Sequence, residues 1–202
     1  MSPGTAACQW AVELCRKCWA CGTIPEDWHR ALVVTIFKKG DTSDCGNYRP
    51  ISLLSIGYKL FATILLSRLK NAGAERRIWP TQFGFRSGCG TADALFVARR
   101  CLEDAWATAD GKLVLLALDW AKAFDTVSPN ALLQALRRFG LPEHFVRVVG
   151  SIYTDRCFSV KDAGQVSEPH AQSFGICQGC PLSPFLFTIV MTTLLHDATR
   201  EL

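Results

Sequence analysis

The fold expected for this chain depends on residues 113–127, which read LVLLALDWAKAFDTV. The six apolar residues Leu113–Leu118 are too few for a buried helix and predict a strand covered on both faces. Asp119 ends this run, so its carboxylate is expected where a sheet stops and a cleft can open, a position that suits a hard cation. An Asp in this position is also typical of a helix N-cap or a solvated turn, and the pattern alone leaves both interpretations open.

Two alanines and the aromatic Phe124 are among the five residues that separate Asp119 from a second acid, Asp125. Ala121 and Ala123 would let the backbone come close to a ligand, while the ring of Phe124 would form one wall of a pocket. This combination favours a ligand site over a plain turn.

The composition is that of a globular protein. With 202 residues, 49% of them apolar, the chain can bury a core as one large domain or two small ones. A net charge of +4 permits a polyanionic partner without requiring one. No apolar run reaches the roughly 18 residues of a membrane span, and the first residues do not resemble a signal peptide. We therefore expect an intracellular, soluble protein, in either nucleus or cytoplasm.

Ten cysteines raise the question of a metal site. Cys8, Cys15, Cys18 and Cys21 could in principle form a thiolate zinc site. The segment Ala6–Cys21 otherwise has the pattern of one helix, and no second group of Cys or His follows at zinc-finger spacing. A helix face of small residues is therefore the favoured interpretation.

The rest of the chain predicts helices separated by short strands and loops. The predicted helices cover 6–21, 58–70, 91–108, 129–138, 143–153 and 183–197, and the predicted strands cover 28–37, 113–118, 157–161 and a return strand that ends at 174. In the helix capped by Thr91, four residues are expected to form a buried stripe: Leu95, Ala98, Leu102 and Ala105.

Five short motifs follow one another along the chain. They are Lys38-Lys39-Gly40-Asp41, residues 47–54 (NYRPISLL), residues 82–86 (QFGFR), Asp119 with residues 122–125 (KAFD), and Gln178-Gly179 ahead of Leu182-Ser183-Pro184. In this order they resemble the reverse transcriptases of non-LTR (LINE-type) retrotransposons. The resemblance spans about residues 22–195, which is most of the chain.

The resemblance implies an α+β fold, with the fingers and a partial palm of a right-hand polymerase and an antiparallel palm sheet packed by helices. Residues 1–110 would form the fingers region with the N-terminal helix, and residues 111–202 the partial palm. The implied activity is RNA-directed DNA polymerisation with two Mg²⁺ ions, or Mn²⁺ in their place. The implied partners are an RNA template, a DNA primer and a dNTP.

The resemblance also assigns roles around the central stretch. Asp119 matches the catalytic Asp that binds metal. The nucleotide site would include Trp120, Ala121, Lys122, Ala123 and Phe124, whose backbone N–H groups would face the triphosphate. The ring of Phe124 matches a steric gate that lies where a ribose 2′-hydroxyl would be and thereby favours deoxynucleotides.

Further matches lie outside the central stretch. Lys38 and Arg49 match the cations that clamp the incoming triphosphate, and Lys39 could share the role of Lys38. Gln178 and Gly179 match a loop that packs on the nascent base pair. Arg86 is expected either to contact the template strand or to stabilise its own loop. Asp125 is expected to be structural rather than a metal ligand.

The sequence departs from the family pattern in one respect. The family carries a second metal-binding element, an aromatic residue with two adjacent aspartates, after the helix that begins at Pro184, and this sequence contains no Asp-Asp pair. We therefore expect fingers and the first part of a palm, and no useful polymerase activity from this polypeptide alone. Two alternatives are a non-catalytic, RNA-binding remnant of such an enzyme and a cysteine zinc-binding interaction module.

Overall fold

The computed structural model describes residues 3–200. These residues form six helices, α1 (Pro3–Cys21), α2 (Ile56–Asn71), α3 (Thr91–Trp106), α4 (Pro129–Arg138), α5 (Glu143–Tyr153) and α6 (Ser183–Arg200). They also form five strands, β1 (Arg30–Phe37), β2 (Tyr48–Leu53), β3 (Cys157–Asp162), β4 (Gln165–Val166) and β5 (His170–Ala171). Short 3-10 turns cover Glu26–His29, Cys45–Asn47 and Ala74–Arg77.

Helix ends follow the local signals in the sequence. Ser128 and Pro129 begin α4, where a proline at the first helical position loses no hydrogen bond because that N–H has no partner within the helix. Pro142 precedes α5, whose observed bounds equal the predicted ones. The predicted positions of α1, α4, α5 and α6 are confirmed to within a few residues at each end.

The sheet is mixed, whereas a mostly antiparallel palm sheet was expected. β1 pairs antiparallel with β2 and parallel with β3, and β3 pairs antiparallel with both β4 and β5. The predicted return strand after the turn at residues 163–164 is divided into two short pieces that end at Ala171. Helices and a mixed sheet together are compatible with the fold class expected from the sequence.

One hydrophobic core connects the helices to the sheet. Its most buried members include Phe61 and Leu65 on α2, Leu136 on α4, Val149 on α5 and Leu186 on α6, each at most 1% exposed. Trp28 and Ala31 extend this core to the start of β1. The core therefore extends under the loop that immediately precedes α6.

The predicted strand at Leu113–Leu118 is wrong for this structure. Residues 111–120 have no regular secondary structure, and Val114 is 92% exposed. A strand needs a neighbour for its N–H and C=O groups, and among residues 3–200 none of the paired strands provides one for this segment. The apolar side chains of this stretch consequently lie in solvent.

The predicted buried stripe of α3 is also wrong. Leu95 and Leu102 are exposed, and no residue of this helix is buried. The helix forms because of its local signals, since the Asp93 carboxylate accepts a hydrogen bond from the N–H of Gly90 at 2.7 Å. Its cap is thus Gly90 rather than Thr91. Its apolar face has no partner within the described part of the chain.

No helix within residues 3–200 combines the length and the apolar character that crossing a bilayer requires.

Candidate active site

The loop at residues 175–180 is held between two segments that are distant in sequence. Its first residues bond to the turn at 122–127, because Gly175 donates its N–H to the Val127 carbonyl at 2.9 Å and Ile176 donates to Phe124 at 2.8 Å. On the other side, the N–H of Ser52 donates to the Gln178 carbonyl at 3.1 Å. These bonds join the loop to the free edge of β2 and to the end of the central stretch.

The side chain of Gln178 is oriented by Asp125. Its Nε2 donates to Asp125 Oδ1 at 2.9 Å, across 53 residues of sequence. The amide oxygen of Gln178 accepts no hydrogen bond from the described residues. The half-buried position of Gln178 leaves that acceptor accessible to a ligand.

A cavity of about 350 Å³ opens beside this pair, over one face of the sheet. Strand residues at its base include Val33, Thr35, Ser52 and Val160, and Asp125, Gln178 and several apolar residues complete it. Most of the lining is apolar, with a few polar groups that converge at Gln178. Such a lining is typical of a ligand site that accepts a flat, partly polar molecule.

A buried polar cluster, which no sequence pattern indicated, underlies the loop. Arg156 is 4% exposed and donates through Nη2 to the sulfur of Cys177, while its Nε and Nη1 have no partner among the described residues. Tyr58 donates its hydroxyl to Cys180 Sγ at 3.0 Å. Burial raises the pKa of the Cys177 thiol, and the nearby positive charge of Arg156 opposes that increase. Both cysteines thus anchor the loop as buried thiols.

Phe124 lies at the edge of this site and is held by two other rings. Its ring stacks on Phe187 of α6, with centroids 5.0 Å apart and planes at 17°, and meets the edge of Phe85 at 6.1 Å. The side chain is half-buried. A ring fixed in this way is a rigid wall rather than a mobile surface group.

Asp119 is exposed in the segment that precedes this turn. No hydrogen bond or ion pair joins it to Gln178 within residues 3–200, and it does not line the cavity beside Gln178. Of the following residues, Trp120, Ala121 and Lys122 are exposed and Ala123 is half-buried. Lys122 has a positive φ of 52°, a strained conformation for a residue with a side chain, which is often found at functional sites.

The structure brings the two predicted triphosphate cations near each other. Lys38 follows β1 and bonds through its backbone N–H to the Asn47 carbonyl, and Arg49 lies opposite Ile36 at the start of β2. Strand alternation directs Arg49 to the face opposite the cavity that Ser52 lines. Both cations are exposed, as is Lys39. The described residues show no contact between this pair and Gln178.

Arg86 stabilises its own loop. Its Nη1 donates to three backbone carbonyls, those of Trp79, Pro80 and Gln82, at 3.1 to 3.4 Å. The guanidinium is half-buried against the loop that it closes. These hydrogen bonds support the loop-stabilising role of Arg86. The alternative role, a contact with the template strand, stays a prediction.

We expect Arg86→Ala to lower the free energy of unfolding by about 1–3 kcal/mol, because three backbone carbonyls, two of them in partly buried contacts, lose a charged donor. Urea unfolding followed by circular dichroism measures this change. Arg76→Ala is the matched control, because Arg76 is exposed and makes no side-chain hydrogen bond in the described structure, and it should change stability by less than about 0.5 kcal/mol. Equal effects of the two substitutions would contradict the role of Arg86.

The described residues contain no group of three or more His, Cys, Asp or Glu side chains that could hold a metal ion. The four cysteines of α1 are divided, because Cys15 and Cys18 are buried in the core while Cys8 and Cys21 are exposed. Burial raises the pKa of the Cys15 and Cys18 thiols, which favours the protonated form over a metal-binding thiolate.

Comparison with known proteins identifies the family. Residues 36–202 match the family model described as reverse transcriptase (RNA-dependent DNA polymerase), so the match covers β2, the central stretch and the Gln178 loop. The chain belongs to the reverse transcriptase family. The family assignment confirms the resemblance seen in the sequence motifs and does not favour the zinc module or the RNA-binding remnant.

Relatives of this reverse transcriptase chain carry the names of transposons and retrotransposable elements. It is 34% identical to a protein named Transposon TX1 uncharacterized 149 kDa protein from Xenopus laevis, over 86% of this chain and 13% of that protein. It is 32% identical to the Pol polyprotein of the type-2 retrotransposable element R2DM of Drosophila melanogaster, over 90% and 17%, and 33% identical to the RNA-directed DNA polymerase from mobile element jockey of the same organism, over 89% and 20%. The chain thus spans one fifth or less of the length of these relatives.

Proposed function

We propose that this chain is the nucleotide-binding part of an RNA-directed DNA polymerase, which transfers a nucleotide from a dNTP to a primer 3′-hydroxyl on an RNA template. The observation that carries the proposal is the convergence at Gln178. The loop of Gln178, the turn that follows Asp119 and the edge of β2 belong to three separate family motifs, and direct hydrogen bonds join them.

The proposal assigns residues 1–110 to a fingers region and residues 111–202 to a partial palm. The β1–β2 hairpin, with Lys38 and Arg49, then belongs to the fingers, and the Gln178 loop to the palm. The parallel pairing of β1 with β3 crosses this division, so the two regions share one sheet and one core. They are regions of one folded unit rather than separately folded domains.

Asp119 is the proposed metal-binding and catalytic residue. It is an exposed carboxylate, and Mg²⁺ is commonly held by one or two carboxylates together with substrate phosphates and water. A divalent ion bound there would neutralise charge on the triphosphate and lower the pKa of the primer hydroxyl. Mn²⁺ can substitute because it also prefers oxygen ligands.

We assign the other nucleotide contacts to the β1–β2 hairpin and the Gln178 loop. Lys38 and Arg49 lie on one face of the hairpin and would provide a point charge and a bidentate fork for phosphate oxygens. Ser52, which bonds to the Gln178 loop, is three residues from Arg49, or about 10 Å along the strand. Because Arg49 points to the face opposite the cavity, a nucleotide held by both Gln178 and Arg49 would have to pass around the edge of β2.

The proposed gate at Phe124 provides a test. We expect the chain to bind a dNTP with Mg²⁺ more tightly than the matching rNTP, and Phe124→Val to reduce this discrimination at least about tenfold, because the ring that excludes the 2′-hydroxyl is removed. Equilibrium titrations of dTTP and its ribose counterpart measure both affinities.

Phe187→Val is the matched control, because it removes the same stacked ring pair while leaving the ring at position 124. It should lower stability and reduce discrimination much less than Phe124→Val does, because the ring at position 124 remains and still contacts Phe85. A chain that binds neither nucleotide, or a Phe187→Val variant that loses discrimination as Phe124→Val does, would overturn the assignment.

A further inference from the structure

A second polar cavity lies away from the Gln178 loop, between the 3-10 turn at Ala74–Arg77 and helices α4 and α6. Its volume is about 350 Å³. It is lined by Arg77, Arg138, Phe139, Thr192, Thr193 and His196. No family motif in the sequence includes these residues, and the proposed nucleotide site does not use them.

Arg77 is fixed in this cavity without a carboxylate partner. Its guanidinium lies over the ring of Phe139, 4.6 Å from the centroid. Gly140, with a φ of +80°, leaves room for it, because a Cβ there would lie 3.0 Å from Arg77 Nη2. Within the part of the chain that the structure describes, Arg77 forms no ion pair. Stacking therefore holds the guanidinium in one place while its N–H groups stay free to donate.

The neighbouring groups leave one net positive charge at the cavity. Arg138 is paired through both terminal nitrogens with Asp197, so its charge is locally balanced. The buried hydroxyl oxygen of Thr192 accepts the N–H of Trp79 at 3.1 Å, and the His196 ring meets Trp79 edge-on at 4.9 Å. The cavity therefore presents three polar groups: the unpaired guanidinium of Arg77, the buried hydroxyl of Thr192 and a ring nitrogen of His196. This small set suits a singly charged oxyanion.

We propose that this cavity binds a backbone phosphate of a nucleic-acid strand, with Arg77 as its principal contact. A phosphodiester carries one negative charge, which matches the single unpaired guanidinium. The cavity residues on α6 lie 9 to 13 residues beyond Ser183, or about 14–20 Å along the helix from its first residue at 1.5 Å per residue. A base-paired strand that follows α6 from its start to the cavity would cover this length in about four to six nucleotides, at a rise of about 3.4 Å per nucleotide.

The test is the salt dependence of RNA binding by the full chain. Fluorescence anisotropy with a labelled single-stranded RNA gives the binding constant across a salt series. Arg77→Ala should reduce the slope of log K against log salt by about 0.7 and lower affinity about fivefold near 0.1 M salt, as expected for one lost phosphate contact. Arg77→Lys, which keeps the charge, should restore most of the slope.

Arg76→Ala is the matched control, because Arg76 carries the same charge and is exposed like Arg77, but lies outside the cavity. It should change the slope by less than half as much as Arg77→Ala. Equal changes for the two alanine variants, or no change for either, would overturn the site. Circular dichroism confirms that each variant is folded.

Inorganic phosphate distinguishes a strand from a small anion. At equal ionic strength it should displace RNA no better than chloride does. Displacement that is stronger with phosphate and that disappears in Arg77→Ala would show a small-anion site and overturn the nucleic-acid assignment. RNA is added without dNTP or Mg²⁺, so this result is independent of nucleotide binding at Asp119 and Gln178, and either proposal can fail alone.

Discussion

Gly179→Ala is expected to lower the free energy of unfolding by about 3 kcal/mol or more. The backbone of Gly179 has a φ of +114°, which a residue with a side chain rarely adopts. A Cβ at this position would also lie 2.6 Å from the Ser52 carbonyl oxygen, so the loop would have to move away from β2. Backbone strain and steric collision therefore add at this one position. Urea unfolding of the unmodified chain and of the Gly179→Ala variant measures the loss of stability.

Gly164→Ala separates the two effects. Gly164 has a φ of +83° but no atom within 4 Å of an added Cβ, so only backbone strain applies there. We expect it to cost about 1–2 kcal/mol. The Gly179 variant should also lose affinity for dNTP, since the displaced loop carries Gln178, whereas the Gly164 variant should retain it. Equal losses of stability and of affinity in the two variants would show that the packing of the loop on β2 has no special importance.

Asp119→Asn is expected to weaken Mg²⁺-dependent binding of dNTP at least about tenfold. Metal affinity falls about 10–100-fold when a residue that only supports a metal ligand is replaced, and here the ligand itself is replaced. The exchange keeps the size of the side chain and removes its negative charge. Titration of dNTP at several Mg²⁺ concentrations separates metal dependence from nucleotide affinity.

Asp125→Asn is the matched control, since it makes the same exchange six residues further along. The carboxylate of Asp125 accepts from Gln178, and the asparagine oxygen can still accept there without the negative charge, so the contact should weaken and lower nucleotide affinity modestly while the dependence on Mg²⁺ remains. If Asp125→Asn removes the Mg²⁺ dependence and Asp119→Asn preserves it, Asp125 is the metal ligand and the sequence assignment is reversed.

Local signals explain why most helices could be predicted. α4 and α5 begin at Pro129 and after Pro142, and these signals act within a few residues of sequence. The exposed stripe of α3 shows the limit of such patterns. Its spacing predicted a helix, which is present, but spacing cannot say whether another segment covers the apolar face.

The same limit applies to the central stretch. Leu113–Leu118 has the composition of a buried strand, yet strand formation depends on a neighbour elsewhere in the chain, and the described residues provide none. The bond between Asp125 and Gln178 could not be predicted, because it depends on how two loops 53 residues apart are placed. The burial of Arg156 had no sequence signal either, since arginine is seldom found in a core.

The central claim is that Asp119 and Gln178 belong to one site that holds a metal ion and a deoxynucleotide. The most direct measurement is paramagnetic broadening by Mn²⁺ with dATP in ¹⁵N-labelled protein, with the side-chain amide signals of Gln178 assigned by comparison with Gln178→Glu. We predict that Mn²⁺ and dATP together broaden those signals in the unmodified chain and leave them sharp in Asp119→Asn. Signals that stay sharp in the unmodified chain, or that broaden equally in Asp119→Asn, would contradict the claim.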